Sequence, residues 1–366
     1  MRLSVKLVSI LLLSAAPALA DDLSNGLPKP VFLDEVTFPT ALSIDGVQVG
    51  GLSDLSYDAS AGNFLAISDD RAEFGPVRFY RIGMTVQKNR IAKLDIGQMK
   101  ELMAPGGRHF GLKGADPEGI ALDSANQRIF WTSERDEKSR PSLYVSDLDG
   151  TNTKSIELPE AFAVNAEKTH GVIENLGFEG LDLGPDGSTL YALDENALAQ
   201  DGGKATLDKG SASRLLVLDT KTLTPKAQYV YLTDKIPAAP VKAGGWADNG
   251  ASALMALKDG RFVVIERNFT EGHGFNIRFY LVDPAGATDV NGRDAISIDD
   301  VKPMAKSLWF SLVDGDDGLK IDNIESIAFG PVVDGRQTML LASDNNFSPE
   351  QATKFTLFAV DMPATH

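Results

Sequence analysis

No cysteine occurs in these 366 residues, and there are only four histidines. Disulfides, lipid attachment at a thiol and thiolate metal sites are therefore excluded, and no histidine is spaced for zinc. A Gly-x-Ser-x-Gly elbow is missing, which argues against a serine esterase of the usual kind. Bases are in short supply: 35 Lys and Arg face 51 Asp and Glu, a formal charge of −16. Such a balance speaks against nucleic acid or an anionic membrane surface as partner. Helical periodicity is almost absent. Long apolar runs are absent too, apart from one at the N-terminus.

That run, Leu7 to Ala16, follows Arg2 and Lys6 and ends near Ala18-Leu-Ala20. It is short for a membrane span and has the charged start and small-residue end of an export signal. Residues 1–20 are thus expected to be a signal peptide, removed on the way to the periplasm or the outside. Its loss takes two bases and deepens the charge to −18. Nothing further along is expected to span a membrane. With no Pro- or Ser-rich linker, residues 21–366 read as one domain, expected to be a monomer, large enough to stand on burial alone.

What is present is a motif that comes round five times: a polar or acidic residue, an apolar strand, a turn, a second apolar strand and a cluster of acids. The copies are Asp54-Leu-Ser-Tyr57 with Phe64-Leu-Ala-Ile-Ser-Asp-Asp70, Glu118-Gly-Ile-Ala-Leu122 with Ile129-Phe-Trp-Thr-Ser-Glu134, and Glu179-Gly-Leu-Asp-Leu183 with Leu190-Tyr-Ala-Leu-Asp-Glu195. Ser252-Ala-Leu-Met-Ala-Leu257 with Phe262-Val-Val-Ile-Glu266 and Glu325-Ser-Ile-Ala-Phe329 with Met339-Leu-Leu-Ala-Ser-Asp344 complete the set. Successive copies start 64, 61, 73 and 73 residues apart, room for four strands and their turns. The second step shows them as Gly119–Leu122, Arg128–Ser133, Ser142–Ser146 and Lys154–Leu158, with turns at Asp123-Ser-Ala-Asn126 and Asp147-Leu-Asp-Gly150. Four-stranded antiparallel units repeated radially make an all-β propeller. Counting gives five blades, with six as the alternative. The ring is expected to close by Val31–Phe38 joining the C-terminal strands around Phe355–Val360.

The innermost strand of each blade lines the channel, so equivalent residues converge on one axis. Asp54, Glu118, Glu179 and Glu325 precede the first strands, with Ser252 in the fourth place. Asp69, Asp70, Glu134, Asp194, Glu195, Glu266 and Asp344 follow the second strands, at the same face of the ring. So many carboxylates at close range raise one another's pKa values or recruit cations, and oxygen ligands suit Ca²⁺ or Mg²⁺, Ca²⁺ first. The expected metal ligands are Asp54, Asp69, Asp70, Glu118, Glu134, Glu179, Asp194, Glu266, Glu325 and Asp344. The competing reading is internal ion pairing, for which Arg71, Arg135 and Arg267 stand ready beside the terminal acids. Those arginines equally suit phosphate or carboxylate oxygens. Asn175, Asn249 and Asn323, with Asn196, Asn268, Asn345 and Asn346, are either further oxygen ligands or turn residues. His170 remains as a possible acid or base. Asp314 to Glu325 has part of an EF-hand pattern, but Leu319 stands where the loop needs Gly.

The runs Gly50-Gly-Leu-Ser-Asp-Leu-Ser-Tyr-Asp58, Asp116-Pro-Glu-Gly-Ile-Ala-Leu122, Gly177-Phe-Glu-Gly-Leu-Asp-Leu183, Ile265-Glu-Arg-Asn-Phe269, Asn323-Ile-Glu-Ser-Ile-Ala-Phe329 and Ser343-Asp-Asn-Asn-Phe347 resemble the phytase-like family labelled "esterase-like activity of phytase". The resemblance spans about Val47 to Asp361 and implies an exported bacterial β-propeller that hydrolyses phosphoesters or related esters. The β-propeller phytases proper have six blades and several calcium ions, so the count of five departs from them. The resulting expectation is a calcium-assisted hydrolase of a small anionic ester, with calcium bridging Glu118, Glu179, Glu325 and Asp54 and a carboxylate-bound water attacking. Arg71, Arg135 and Arg267 would then stabilise the developing negative charge. The alternatives are a non-catalytic propeller binding a cation, small ligand or partner protein, and a lactonase-type propeller.

Overall fold

A computed structural model describes residues 27–362; the expected signal peptide lies outside the described residues. Five four-stranded antiparallel sheets form a ring, and no α-helix occurs among the described residues. The first blade is Leu52–Asp58, Asn63–Ser68, Arg78–Gln87 and Arg90–Glu101. The second is Pro117–Asp123, Arg128–Ser133, Ser142–Asp147 and Lys154–Ile156, close to the strands expected there. Phe178–Leu183, Thr189–Asp194, Ala212–Asp219 and Pro225–Leu232 make the third. Ala247–Ala256, Phe262–Thr270, Gly274–Asp283 and Ala305–Val313 make the fourth. The fifth joins Asn323–Val333, Arg336–Asp344 and Thr353–Val360 to the N-terminal strand Val31–Phe38, which pairs antiparallel from Val31 opposite Ala359 to Phe38 opposite Thr353. The first strands of successive blades lie against one another around the ring, so they are the inner strands.

The second strand of each blade is buried on both faces, which explains its unbroken apolar run. In Phe64-Leu-Ala-Ile67, Phe64 and Ala66 pack toward Leu340 and Ala342 of the fifth blade. Leu65 and Ile67 face Ile129 and Trp131 of the second. The same alternation gives one apolar core between each pair of neighbouring blades. Period-2 side-chain alternation thus holds the ring together blade against blade.

Each inner strand carries a β-bulge at one equivalent place: between Leu52 and Asp54, Pro117 and Ile120, Phe178 and Gly180, Ala251 and Ala253, Ile324 and Ser326. A bulge leaves a residue unpaired and re-aims its side chain. The bulged residues are Ser53, Glu118, Glu179, Ser252 and Glu325. This corrects the placing of Asp54 with the three glutamates, because the fourth member of that row is Ser53. Asp54 is one residue further on, and its carboxylate accepts the N–H of Leu55 (2.8 Å) and of Ile120 in the second blade (2.8 Å). Asp182 ties the third blade to the fourth in the same way, through Leu183 (2.8 Å) and Ala256 (2.8 Å). Asp54→Ala would leave two buried N–H groups without acceptors. We expect it to cost roughly 1–3 kcal/mol per orphaned group in chemical denaturation; unaltered stability would contradict this placement.

Candidate functional site

Three tiers of side chains surround one end of the channel. The bulge supplies Ser53, Glu118, Glu179, Ser252 and Glu325. Two residues earlier stand Gly51, Asp116, Gly177, Gly250 and Asn323. Opposite these, just past the paired core of the second strands, come Asp69, Glu134, Glu195, Arg267 and Asp344. The pairing is direct: the amides of Asp69, Glu134 and Glu195 donate to the carbonyls of Gly51 (2.8 Å), Asp116 (2.8 Å) and Gly177 (2.6 Å). Glycine leaves room for the acids, since a Cβ at Gly51 would fall 1.8 Å from Asp69 Oδ1 and one at Gly250 2.3 Å from Glu195 Oε1.

These tiers border a cavity of ≈ 1040 Å³, lined among others by Asp116, Glu118, Glu179, Glu195, Arg267 and Glu325. One oxygen from each of Asp116, Glu118 and Glu134 lies within 4.8 Å of the others, and the same holds for Glu134, Glu179 and Glu195. The two trios share Glu134. Burial is the first cause of strain here. It lifts Glu134, helped by Asp116, to about 8, and Glu325 to about 8 despite Arg267. Glu195 reaches about 7 and Asp344 about 6 for the same reason. Glu118, Glu179 and Asp69 are raised well above the usual carboxylate range, by burial and then by the carboxylates around them, Glu179 and Asp116 beside Glu118, Glu195 and Glu134 beside Glu179, Asp344 and Glu325 beside Asp69. Ser53 Oγ donates to Glu118 Oε2 (2.5 Å).

Positive charge enters at fixed places. Asp116 holds Arg135 (2.6 Å) and Arg71 (3.4 Å). Arg267 stands where the other four blades place an acid, between Glu195 (3.6 Å) and Glu325 (3.4 Å). Lys204 also lines the cavity.

Asp69, Asp70, Arg71, Glu118, Arg135, Glu179, Arg267 and Glu325 of the expected set line the cavity, and Glu134 and Asp344 are buried beside it. Asp70, however, is occupied: its carboxylate takes Arg78 Nη1 (2.5 Å) and the amides of Glu73 (2.8 Å) and Phe74 (3.1 Å). Asp194 and Glu266 point the other way, because each precedes the tier residue by one position in its strand. Glu266 is fully engaged by Tyr231 Oη (2.8 Å), Asn249 Nδ2 (2.9 Å), Lys306 Nζ (2.5 Å) and the amide of Asp234 (2.9 Å). Asp194 is buried with neither oxygen hydrogen-bonded. Burial raises its pKa well above 3.8, with Arg214 opposing.

Asn175, Asn196, Asn249, Asn323 and Asn346 line the cavity, whereas Asn268 and Asn345 serve the backbone. His170 lies elsewhere, bonded to Ala163 O (2.8 Å) and Asp294 Oδ1 (2.9 Å). In the Asp314–Glu325 stretch the side chains of Asp314 and Asp316 accept backbone amides of the same loop. Asp116 and Lys204 were not foreseen as site residues. For Asp116 a signal existed: it precedes Glu118 by two, where three other blades have glycine.

The trios suit a hard divalent cation. Ca–O distances of about 2.3–2.6 Å allow ligand oxygens up to roughly 5 Å apart, and the 4.8 Å limit met here falls within that span. A second observation points the same way: Asn323 Oδ1, on a side chain that lines the cavity, is buried and has no hydrogen-bond donor.

Fold and site together define a five-bladed β-propeller whose channel mouth is a funnel of buried carboxylates with guanidinium groups set into it. The chain belongs to the phytase-like family described as esterase-like activity of phytase, which it matches over residues 47–347. An uncharacterized secreted protein of the fungus Arthroderma benhamiae is 28% identical over 200 residues, 45% of this chain and 38% of that protein. The chain thus spans well under half of that relative's length. Among solved structures, a nidogen/laminin complex aligns with 86% of this chain and 85% of its own at 11% identity and a TM-score of 0.40. The β-propeller domain of Cps50 (Swd1) from Myceliophteria thermophila aligns with 84% and 82% at 11% identity and a TM-score of 0.34.

Proposed function

We propose that the protein is an exported, metal-assisted hydrolase of phosphoesters or related esters, working at the carboxylate funnel with Ca²⁺ as its metal. The observation that carries the reading is the pair of carboxylate trios sharing Glu134, set beside Arg135, Arg71 and Arg267. Asp116, Glu118, Glu134, Glu179 and Glu195 would hold the metal. A bound divalent cation supplies charge that acidifies water and offsets the negative ester oxygens.

The chain's own groups do the rest. Arg135 and Arg71 are fixed by Asp116 and keep N–H groups for the ester's oxygens. Arg267 neutralises charge that develops as the bond to the leaving oxygen breaks. Hydrolysis adds hydroxide to the phosphorus or acyl carbon and a proton to the leaving oxygen. A ring carboxylate that does not hold the metal takes the water's proton. Glu325, whose pKa of about 8 keeps it protonated near neutrality, can give one to the leaving group. Export is supported by the leader pattern in residues 1–20 and by the secreted relative. No helix of the described residues is long and apolar enough to cross a membrane.

The test is turnover of an aryl phosphate, inositol hexakisphosphate, a short-chain aryl ester and a lactone, before and after exhaustive chelation. We expect one phosphate or ester to be hydrolysed, a loss of at least about tenfold after EDTA, and recovery with Ca²⁺. Full activity after chelation overturns the role of the metal. Calcium binding without turnover of any compound leaves a binding protein instead.

A further inference from the structure

An aromatic rim stands above the carboxylate funnel, and the hydrolytic chemistry does not use it. Phe74 and Trp246 line the cavity yet are 48% and 58% exposed. Phe347, also lining it, stacks on Phe74 with ring centres 4.3 Å apart and planes 9° from parallel. One face of Phe74 is therefore covered and the other is open.

The platform is built at a cost. Phe347 has φ +52°, a left-handed conformation that an L-residue adopts at roughly 1–2 kcal/mol. Asn345 Oδ1 holds its amide there (2.9 Å). The ring lies on Gly50 and Gly51, where an added Cβ would come within 2.9 Å of it in either case. Trp246 is held by its indole N–H to Asp248 Oδ2 (2.8 Å) and its amide to Glu271 Oε2 (3.1 Å), and Lys204 Nζ lies 5.2 Å from its ring centre. Two family-like runs, Gly50-Gly51 and Ser343–Phe347, thus serve an apolar surface.

Charge narrows the ligand further. Thirteen acidic and five basic side chains line the cavity, so carboxyl groups outnumber cationic ones there even though burial holds part of them protonated. A polyanion is repelled by such a cavity, whereas a ligand with one anionic or neutral ester group is not.

Resting on the hydrolase reading, we propose that the substrate is an ester with at most one anionic group and a planar aromatic portion, which stacks at the rim on Phe74 and Trp246. Phe74, Phe347 and Trp246 are then specificity residues, and inositol polyphosphates are poor substrates.

The test compares benzyl with ethyl phosphate and benzyl with ethyl acetate, pairs whose alcohols are similarly poor leaving groups. In the calcium-loaded wild type we expect kcat/KM to favour the benzyl member about tenfold through KM, a stacking contribution of about 1.4 kcal/mol. Phe74→Ala and Trp246→Ala should each bring the ratio toward one, and Phe74→Tyr should restore it. Inositol hexakisphosphate should fall below benzyl phosphate. Equal use of both members, a ratio the alanine variants leave intact, or efficient use of the hexakisphosphate overturns the proposal. Calorimetry with benzylphosphonate and ethylphosphonate separates this from failure of the hydrolase reading. Preferential binding of the benzyl compound without any turnover keeps the aromatic site and removes the hydrolase; equal binding, or none, overturns the aromatic site itself.

Discussion

At about pH 9, above the pKa values of about 8 for Glu325 and about 7 for Glu195, Arg267→Met is expected to lower the stability of the calcium-free protein by about 3–5 kcal/mol, the cost of removing one partner from a buried ion pair. Arg267 lies between Glu195 and Glu325, its side chain 15% exposed, with Glu179 and Asp248 also in its field. Methionine fills similar space but leaves those carboxylates facing one another. They would respond by taking up protons or by binding a cation more tightly. Urea denaturation with EDTA and with excess Ca²⁺ should therefore show a large loss in the first and a smaller one in the second. Arg267→Lys, which keeps the charge but loses the fork, should fall between wild type and the methionine variant. Equal losses with and without Ca²⁺ would show that Arg267 compensates no cation-binding charge.

The second large effect concerns pH. Glu134 and Glu325 have pKa values of about 8 and Glu195 about 7, against an ordinary 4.5. Above about pH 4.5 the unfolded chain has released protons that the folded chain still holds, so the folded state binds more and stability falls as pH rises. The contribution is complete below the ordinary value and is lost through pH 7 to 8. In EDTA the melting temperature should drop by on the order of 5 °C or more between pH 5 and 8.5. Ca²⁺ should restore it at pH 8.5 and do little at pH 5, where protons occupy the ligands. A calcium-free melting temperature that stays level or rises over this range would falsify the account of the ring as strained acids.

The fold was legible because the same unit repeats and each blade's second strand is an unbroken apolar run; Phe64–Ile67 reads as a strand whatever surrounds it. Closure by Val31–Phe38 was legible from the two terminal lengths, which together make one more blade. The site was legible in kind but not in register. A bulge inserts one residue without any distinctive letter, so Asp54 read as the partner of Glu118 when the equivalent residue is Ser53. Asp194 and Glu266 read as mouth residues because one position along a strand changes which way a side chain points, and adjacent acids hide that change. Asp70 was lost to Arg78, a partner eight residues on with nothing in the sequence to announce it. The Phe74–Phe347 stack joins opposite ends of the chain, and only the closed ring brings them together.

That closure sets an order on how the molecule can be made. Hairpins within the first four blades need only their own neighbourhood of chain and can form early. The strand Val31–Phe38 must wait for Thr353–Val360, the last of the described strands, so joining them closes the longest loop among the described strand pairs and carries the largest loop-closure entropy of them. Until then the first blade lacks its fifth-blade neighbour, Leu340 and Ala342 have no Phe64 to cover them, and the funnel is an open arc. The acids of the second and third blades can meet earlier, whereas Asp69 comes beside Glu325 and Asp344 only when the ring closes. A chain stalled short of Thr353 would have four blades, two strands of the fifth and an exposed apolar seam.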